Sequence, residues 1–151
     1  MGYISEIRKK VGHDTVIMVG AAVVPVRDGK LLLQKRRDNG AWAVHGGCVE
    51  IAEDVETAAR REFTEETGLV AGELELLGVY SGEDMLFTYP NGDHVSIVSV
   101  VYLCRDFTGE VKLQPEEVEC LKWFPADALP EPISSPDVRP IRDAARMAKG
   151  E

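Results

Sequence analysis

The segment from Asp54 to Thr67 can bury a surface only as a helix, and the side it would bury ends in carboxylates. Val55, Ala58, Ala59, Glu62, Phe63 and Glu66 recur at i, i+3, i+4, i+7, i+8 and i+11, the rhythm of one helical face. Glu65 lies beside them, so three acids share an arc of ~100°. A solvated charge run belongs opposite the apolar stripe. Here the charge continues the stripe. Cβ atoms three or four residues apart on a helix stand ~5–6 Å from one another. At an effective dielectric near 20, charges so placed repel by about 3 kcal/mol per pair. The acids also crowd the C-terminal half of the helix, where the macrodipole disfavours negative charge. A proton or a bound cation would relieve this. Ligands that are all oxygen suit Mg²⁺ or Mn²⁺, since zinc more often recruits His or Cys. The helix reads as one wall of a metal site.

Around it the chain reads as strands. "TVIMVGAAVVPV" and "KLLLQKR" are rich in β-branched and aliphatic residues and are joined by the turn "RDGK", a hairpin. "ELELLGVYS" alternates as a strand. "LFTYP" and "HVSIVSVVYLCRDF" flank "NGD", and Asn-Gly is a strong hairpin signal. "VECLKWF" is a further strand, with a short helical turn expected at "PADALP". Helical spacing of Tyr3, Ile4 and Ile7 predicts an opening helix over Tyr3 to Lys10, with Val11 continuing its stripe. Pro136 and Pro140 bracket the start of a last helix running to about Ala148. Neither a repeat nor a linker interrupts the chain, so the pattern predicts a sheet covered by helices in a single domain over 1–151.

Composition narrows the partners. A chain of 151 residues with 44% hydrophobic and 28% charged content is ordinary for a globular domain with a real core. Its net charge of -9 argues against nucleic acid or an anionic membrane as partner, because both want a basic surface. No apolar run approaches the ~20 residues of a membrane span, and "MGYISEIRKK" lacks the apolar stretch of a signal peptide. Cys48, Cys104 and Cys120 form no C-x-x-C pair and read as reduced thiols of a cytoplasmic protein.

The residues before the helix complete a motif. "HGGCVEIAED" supplies Gly46 and Gly47, where backbone can approach a ligand or offer a carbonyl to a metal. Glu53 and Arg61 follow at fixed intervals. The whole stretch "GCVEIAEDVETAARREFTEETGL", Gly47 to Leu69, resembles the 23-residue signature of the Nudix hydrolases. Gly47, Glu53, Arg61, Glu62, Glu65, Glu66 and Gly68 fill every fixed polar or glycine position of it. Accidental agreement at that many positions is of order one in a million.

The resemblance implies an α+β fold, an α/β/α sandwich with a mixed β-sheet. It implies Mg²⁺- or Mn²⁺-dependent hydrolysis of a nucleoside diphosphate linked to another moiety, by attack of water at phosphorus. Nucleoside triphosphates, nucleotide sugars and dinucleoside polyphosphates all fit that description. A homodimer is compatible with it. By the same resemblance, Glu65 and Glu66 are the main metal ligands, and Glu62 is a third ligand or the group that orients and deprotonates water. A carbonyl of Gly46 or Gly47 is a further ligand. Glu53 and Arg61 pair to hold the loop against the helix. A later loop acid serves some members, and "LQPEEVE" offers Glu116 or Glu117, ahead of Glu119 at the start of its strand. Two alternatives share the fold: a non-catalytic nucleotide-binding regulatory module, and a diphosphate isomerase.

Three positions depart from the family pattern. Phe63 replaces a smaller aliphatic residue, a change in core packing, and Ala52 replaces a frequent glycine, a mild change in the loop. His45 replaces the frequent proline before the two glycines. It is either a spacer on a surface loop or an imidazole that reaches the phosphates. Trp42, Phe87, Tyr89 and Trp123 could stack on a base or pack into the core. No subgroup mark downstream of the signature identifies the substrate.

Overall fold

Two long apolar strands, far apart in the chain, form the spine of the structure. The computed structural model describes residues 2–150. Met1 and Glu151, the ends of the domain expected from sequence, lie outside the described residues. Helix α1 (Tyr3–Val11) precedes strand β1 (Val16–Arg27), which turns back into β2 (Lys30–Arg36). Short strands β3 (Trp42–Ala43) and β4 (His45–Cys48) lead to the central helix α2 (Val55–Thr67). Then come β5 (Val70–Ala71), β6 (Glu75–Tyr80), β7 (Leu86–Thr88) and β8 (His94–Cys104). Strands β9 (Phe107–Thr108) and β10 (Val118–Pro125) precede the last helix, α3 (Val138–Ala148).

Strand β8 runs parallel to β1 in continuous register from Val16↔Val95 to Pro25↔Cys104. Its other neighbours, β6 and β7, are antiparallel, as is β10 against β2. The order β10-β2-β1-β8-β6 is therefore a mixed sheet. Alternation along β1 divides the core in two. Ala22, Val24 and Val26 pack with Leu31, Leu33 and Leu103 beneath Ile141, Ala144 and Ala145 of α3. Ala21 and Val23 pack with Leu32 and Cys104 beneath Ala58, Ala59 and Phe63 of α2. Helices thus cover both faces, the α/β/α sandwich that the sequence leads one to expect.

Local chemistry sets the bounds of α2. Asp54 caps its start, accepting from the Thr57 amide at 3.2 Å, and Gly68 ends it at φ 81°. Its amide returns to the Thr64 carbonyl at 2.9 Å, as a C′ glycine does.

Two expectations fail at element ends. Residues 125–130 make one hydrogen-bonded turn, Ala128 N–H to the Pro125 carbonyl at 3.0 Å, and the helical turn lies instead at Ser135–Asp137. The strand expected to run through Phe107 stops at Cys104, because Phe107 and Thr108 turn away to pair with β5. Among the described residues, no helix is long and apolar enough to cross a membrane.

Ala52 takes φ 62°, a left-handed conformation. The departure from glycine there is a strained one and not merely mild, since a Cβ in that region costs ~1–2 kcal/mol. Ala52→Gly should raise stability by roughly 0.5–1 kcal/mol in urea unfolding, after the added freedom of glycine in the unfolded chain is set against the relief.

The position of the cleft follows from the first hairpin. β1 pairs with β2 only at Val26↔Leu31 and Arg27↔Lys30, and from Gly20 to Val23 it pairs with β4 instead. The two strands splay, and a cleft opens between β4 and the far end of β2.

Candidate active site

The glycines of β4 are required by space. A Cβ on Gly46 would stand 2.4 Å from the Ala21 carbonyl oxygen and 2.6 Å from the Ala22 Cβ. A Cβ on Gly47 would stand 2.6 Å from the Glu62 carboxyl carbon. The Glu62 carboxylate therefore lies directly on the Gly47 backbone.

Arg61 fastens this contact. Its Nε and Nη2 each donate to the Glu53 carboxylate at 2.9 Å, and its Nη1 donates to Glu62 Oε1 at 2.8 Å. The same Nη1 is 3.8 Å from Glu65 Oε2. Glu53 also accepts from the Glu50 amide at 3.0 Å. Arg61 first and that amide second hold the Glu53 carboxyl down at about 2. Loop and helix are clasped through this pair.

Glu66 is the group the fold treats least kindly. It is 7% exposed, and its Oε1 accepts from Gln34 Nε2 at 2.6 Å. Its Oε2 is buried without a hydrogen-bond partner. Burial pushes this carboxyl up to about 8; Gln34 opposes the shift, while the charges of Glu62 and Glu117 add to it. Burial raises Glu62 as well, against the pull of Arg61. Glu65, by contrast, is exposed.

The five expected acids of helix and later loop converge. Glu62, Glu65 and Glu66 face Glu116 and Glu117 across a depression of about 180 Å³. Glu66, Glu116 and Glu117 also line the adjoining cleft of about 480 Å³, with Gly46, Gln34, Arg36 and Arg37. Arg37 N–H to the Glu117 carbonyl, 3.1 Å, ties the loop to the end of β2. Glu119 lies apart, paired with Lys35 at 3.1 Å.

These residues fit a divalent cation. Among the described residues, no three His, Cys, Asp or Glu side chains stand already assembled around a metal position. Gln34 and Arg61 hold Glu66 and Glu62 instead. Magnesium nevertheless binds through one or two carboxylates, water and substrate phosphates more often than through a full protein cage. The unpartnered Oε2 of Glu66, with Glu62 and Glu117 raising its negative surroundings, is the group such an ion would satisfy.

A smaller recess of about 100 Å³ continues the cleft past Phe87, Tyr89, Ser134 and Asp137. Phe87 and Tyr89 meet edge to face at 5.0 Å. The Arg36 guanidinium, chelated by Asp38 at 2.9 and 2.6 Å, sits 5.8 Å from the Tyr89 ring. Asp137 Oδ2 accepts from the Val44 amide at 3.2 Å, and burial pushes its carboxyl up to about 6. Of the four aromatic residues considered from sequence, Trp42 and Trp123 pack instead on Phe124 and Phe107, at 4.7 and 6.0 Å.

His45 corrects both readings made from sequence. It lies on a strand and not on a surface loop, and its side chain is not among those lining the cleft, although its neighbours Val44 and Gly46 are. It is fully buried in β4, where Nε2 lies 2.8 Å from the Leu32 carbonyl and Nδ1 has no partner. The imidazole ties β4, which is paired with β1, to β2, and burial drives its pKa down to about 4. The unfolded chain takes up a proton near 6.5, the folded chain only near 4, so acid favours unfolding between those values. Across that window, wild type should lose about 3 kcal/mol relative to His45→Gln in paired denaturant titrations. The difference between the two proteins isolates His45, because Glu66 acts in the opposite sense from 4.5 upward.

Sequence reasoning overlooked Gln34 and Asp137. Gln34 carried a faint signal: it directly follows the apolar run Leu31 to Leu33 and shares the face of Leu32, where a buried amide needs a partner. Asp137, at the end of the helical turn before α3 and far along the chain, carried none.

The sequence profile of the NUDIX domain matches residues 16–144. The chain is 36% identical over 127 residues to an ADP-ribose pyrophosphatase of Methanocaldococcus jannaschii, covering 82% of this chain and 70% of that protein. It is 30% identical over 124 residues to an NAD-capped RNA hydrolase NudC of Actinobacillus succinogenes, covering 76% of this chain and 43% of that longer protein. The crystal structure of a MutT NUDIX hydrolase from Burkholderia pseudomallei superposes with a TM-score of 0.69 at 36% identity, over 88% of this chain and 95% of that one.

Proposed function

The chain belongs to the NUDIX family of hydrolases, and on that premise we propose that it cleaves the diphosphate linkage of a small nucleotide, a nucleoside diphosphate joined to another moiety, in the cytoplasm. One observation carries the reading: helix and loop acids converge beside a polar cleft, and the most buried of them lacks a partner for one oxygen. Glu65 and Glu66 would hold Mg²⁺ or Mn²⁺, with Glu62 and a carbonyl of Gly46 or Gly47 as further oxygens. When bound, the ion supplies positive charge at the diphosphate oxygens and lowers the pKa of water.

The remaining work falls to the chain itself. Arg36 and Arg37, at the mouth of the cleft, orient the diphosphate. Glu117 takes a proton from the attacking water; we favour it over Glu116 because its charge already reaches both Glu62 and Glu66. The water oxygen bonds to phosphorus as the bridging P–O bond breaks, releasing a nucleotide and a phosphate-bearing fragment or pyrophosphate. Glu53 acts through Arg61, keeping Glu62 seated on Gly47. Phe87 and Tyr89 offer ring surface to a base.

The test is product release from a panel of ADP-ribose, NAD, nucleotide sugars, dinucleoside polyphosphates and nucleoside triphosphates. The name of the M. jannaschii relative puts ADP-ribose first. Turnover of at least one class with Mg²⁺ or Mn²⁺, abolished by chelation, is the expected result. Binding without turnover across the panel would make the chain a nucleotide-binding module instead.

A further inference from the structure

No residue of helix α1 is fully buried, so its two polar ends do much to set its place. At the first end, the Tyr3 amide donates to Glu50 Oε1 at 2.7 Å, and a carboxylate suits the positive end of a helix. Glu50 and Glu53 in turn exchange bonds, each amide donating to an oxygen of the other at 3.0 Å. The helix thus starts from the loop that Arg61 clasps.

At the other end, Arg8 joins two segments. Its Nη1 donates to the Gly12 and Asp14 carbonyls at 3.0 and 2.6 Å, closing the end of the helix. Its Nη2 donates to the His94 carbonyl at 2.7 Å, 86 positions along the chain. Arg8 Nε lies 3.5 Å from Asp93 Oδ2, and His13 Nδ1 lies 2.7 Å from Asp93 Oδ1. The Arg8 side chain is 12% exposed, so protein and not water surrounds this guanidinium. Its targets are the strand partners of the aromatic segment. His94 stands opposite Thr88, and the Tyr89 amide donates to the Asp93 carbonyl at 2.9 Å. Phe87 and Tyr89, on either side of Thr88, line the recess, whereas Arg8 does not. Strand β7 is three residues long and pairs with β8 alone. So short a ribbon is marginal without support from outside it.

We propose that Arg8 is a positioning residue for the base: by anchoring the β7–β8 turn to α1, it holds Phe87 and Tyr89 where a nucleobase can stack on them. The inference rests on the nucleotide reading above and on the base meeting those two rings. Stacking demands a set offset and spacing of rings, so a turn that drifts loses it. The diphosphate lies against α2, Arg36 and Arg37, which Arg8 does not touch. Loss of Arg8 should therefore be felt at the base and spare the phosphate.

Calorimetric titration of the full chain with Mg²⁺ present tests this, using AMP, GMP, CMP and UMP, with ribose 5-phosphate as the probe that lacks a base. Wild type should bind the tightest of the four about tenfold better than ribose 5-phosphate, the share of one base–aromatic stack. Arg8→Met keeps most of the stem and removes every donor. It should weaken that nucleotide by about tenfold and leave ribose 5-phosphate unchanged, with KM raised far more than kcat is lowered. Lys9→Met, at an exposed position on the same helix, should match wild type. Far-UV circular dichroism establishes folding. If Arg8→Met does not fold, Asp93→Asn takes its place with the same expectation, since it removes the charge that faces Arg8 and His13. Equal losses for nucleotide and ribose 5-phosphate overturn the proposal, as does a nucleotide affinity that survives the loss of Arg8. Failure of both variants to fold makes the contact structural and overturns it too. A wild type that binds no nucleotide better than ribose 5-phosphate removes its premise, while turnover of the substrate panel decides separately whether the hydrolase reading stands.

Discussion

Glu66→Gln should lower kcat by at least ~100-fold, the scale on which loss of a group that positions transition-state charge is felt. The same substitution should make the protein more stable near neutral pH. The Glu66 carboxyl titrates at about 8 in the folded protein, well above the ordinary 4.5 it regains on unfolding. A folded pKa raised in this way gives stability that is complete below 4.5 and is lost as pH climbs through 8. Wild type should therefore fall behind the variant over that window, by on the order of 4 kcal/mol at its alkaline end. Mn²⁺ should recover that loss in wild type and leave the Tm of Glu66→Gln unmoved. Turnover within a few-fold of wild type, or a variant less stable at pH 8, would refute the role given to Glu66.

Gly46→Ala and Gly47→Ala should separate folding from activity at adjacent residues. The new methyl at residue 46 meets backbone, the Ala21 carbonyl at 2.4 Å and the Ala22 Cα at 2.8 Å, neither of which can yield without tearing β4 from β1. A stability loss of about 3 kcal/mol, the upper range for overpacking, is expected from chemical denaturation. At residue 47 the methyl meets the end of a flexible side chain, the Glu62 carboxylate at 2.6 Å. That carboxylate swings aside at small cost in stability, but it leaves the position Arg61 fixes for it. Turnover should drop by about 100-fold with Tm nearly unchanged. Equal stability losses in the two variants would contradict this account.

What could be read from the sequence was whatever local rules decide. Asp54 and Gly68 bound α2 through contacts within four residues, and the apolar stripe that runs into Glu62 and Glu66 is a property of the helix alone. Glu53 and Arg61 lie at opposite ends of one short segment, so their pairing was also within reach. His45 was not. Its burial depends on β4 lying along Val23 while the imidazole spans to Leu32 of the neighbouring strand, a relation between segments that local pattern does not carry. The same holds for Asp137, delivered to Val44 by the turn before α3. The choice between Glu116 and Glu117 was open because a loop has no period from which to read direction.

The parallel union of β1 with β8 also bears on how the chain acquires its shape. Each of its partners is 79 positions away, from Val16↔Val95 to Pro25↔Cys104. The chain must close that long loop before either strand gains its main neighbour, which raises contact order and places such a protein among the slower folders. Helix α2 can form early from its own caps, yet Gly46 and Gly47 reach it only on a strand hung from β1. The acids should therefore gather their opposing wall late in folding. Metal ions present during refolding should slow unfolding far more than they speed the return to the native state.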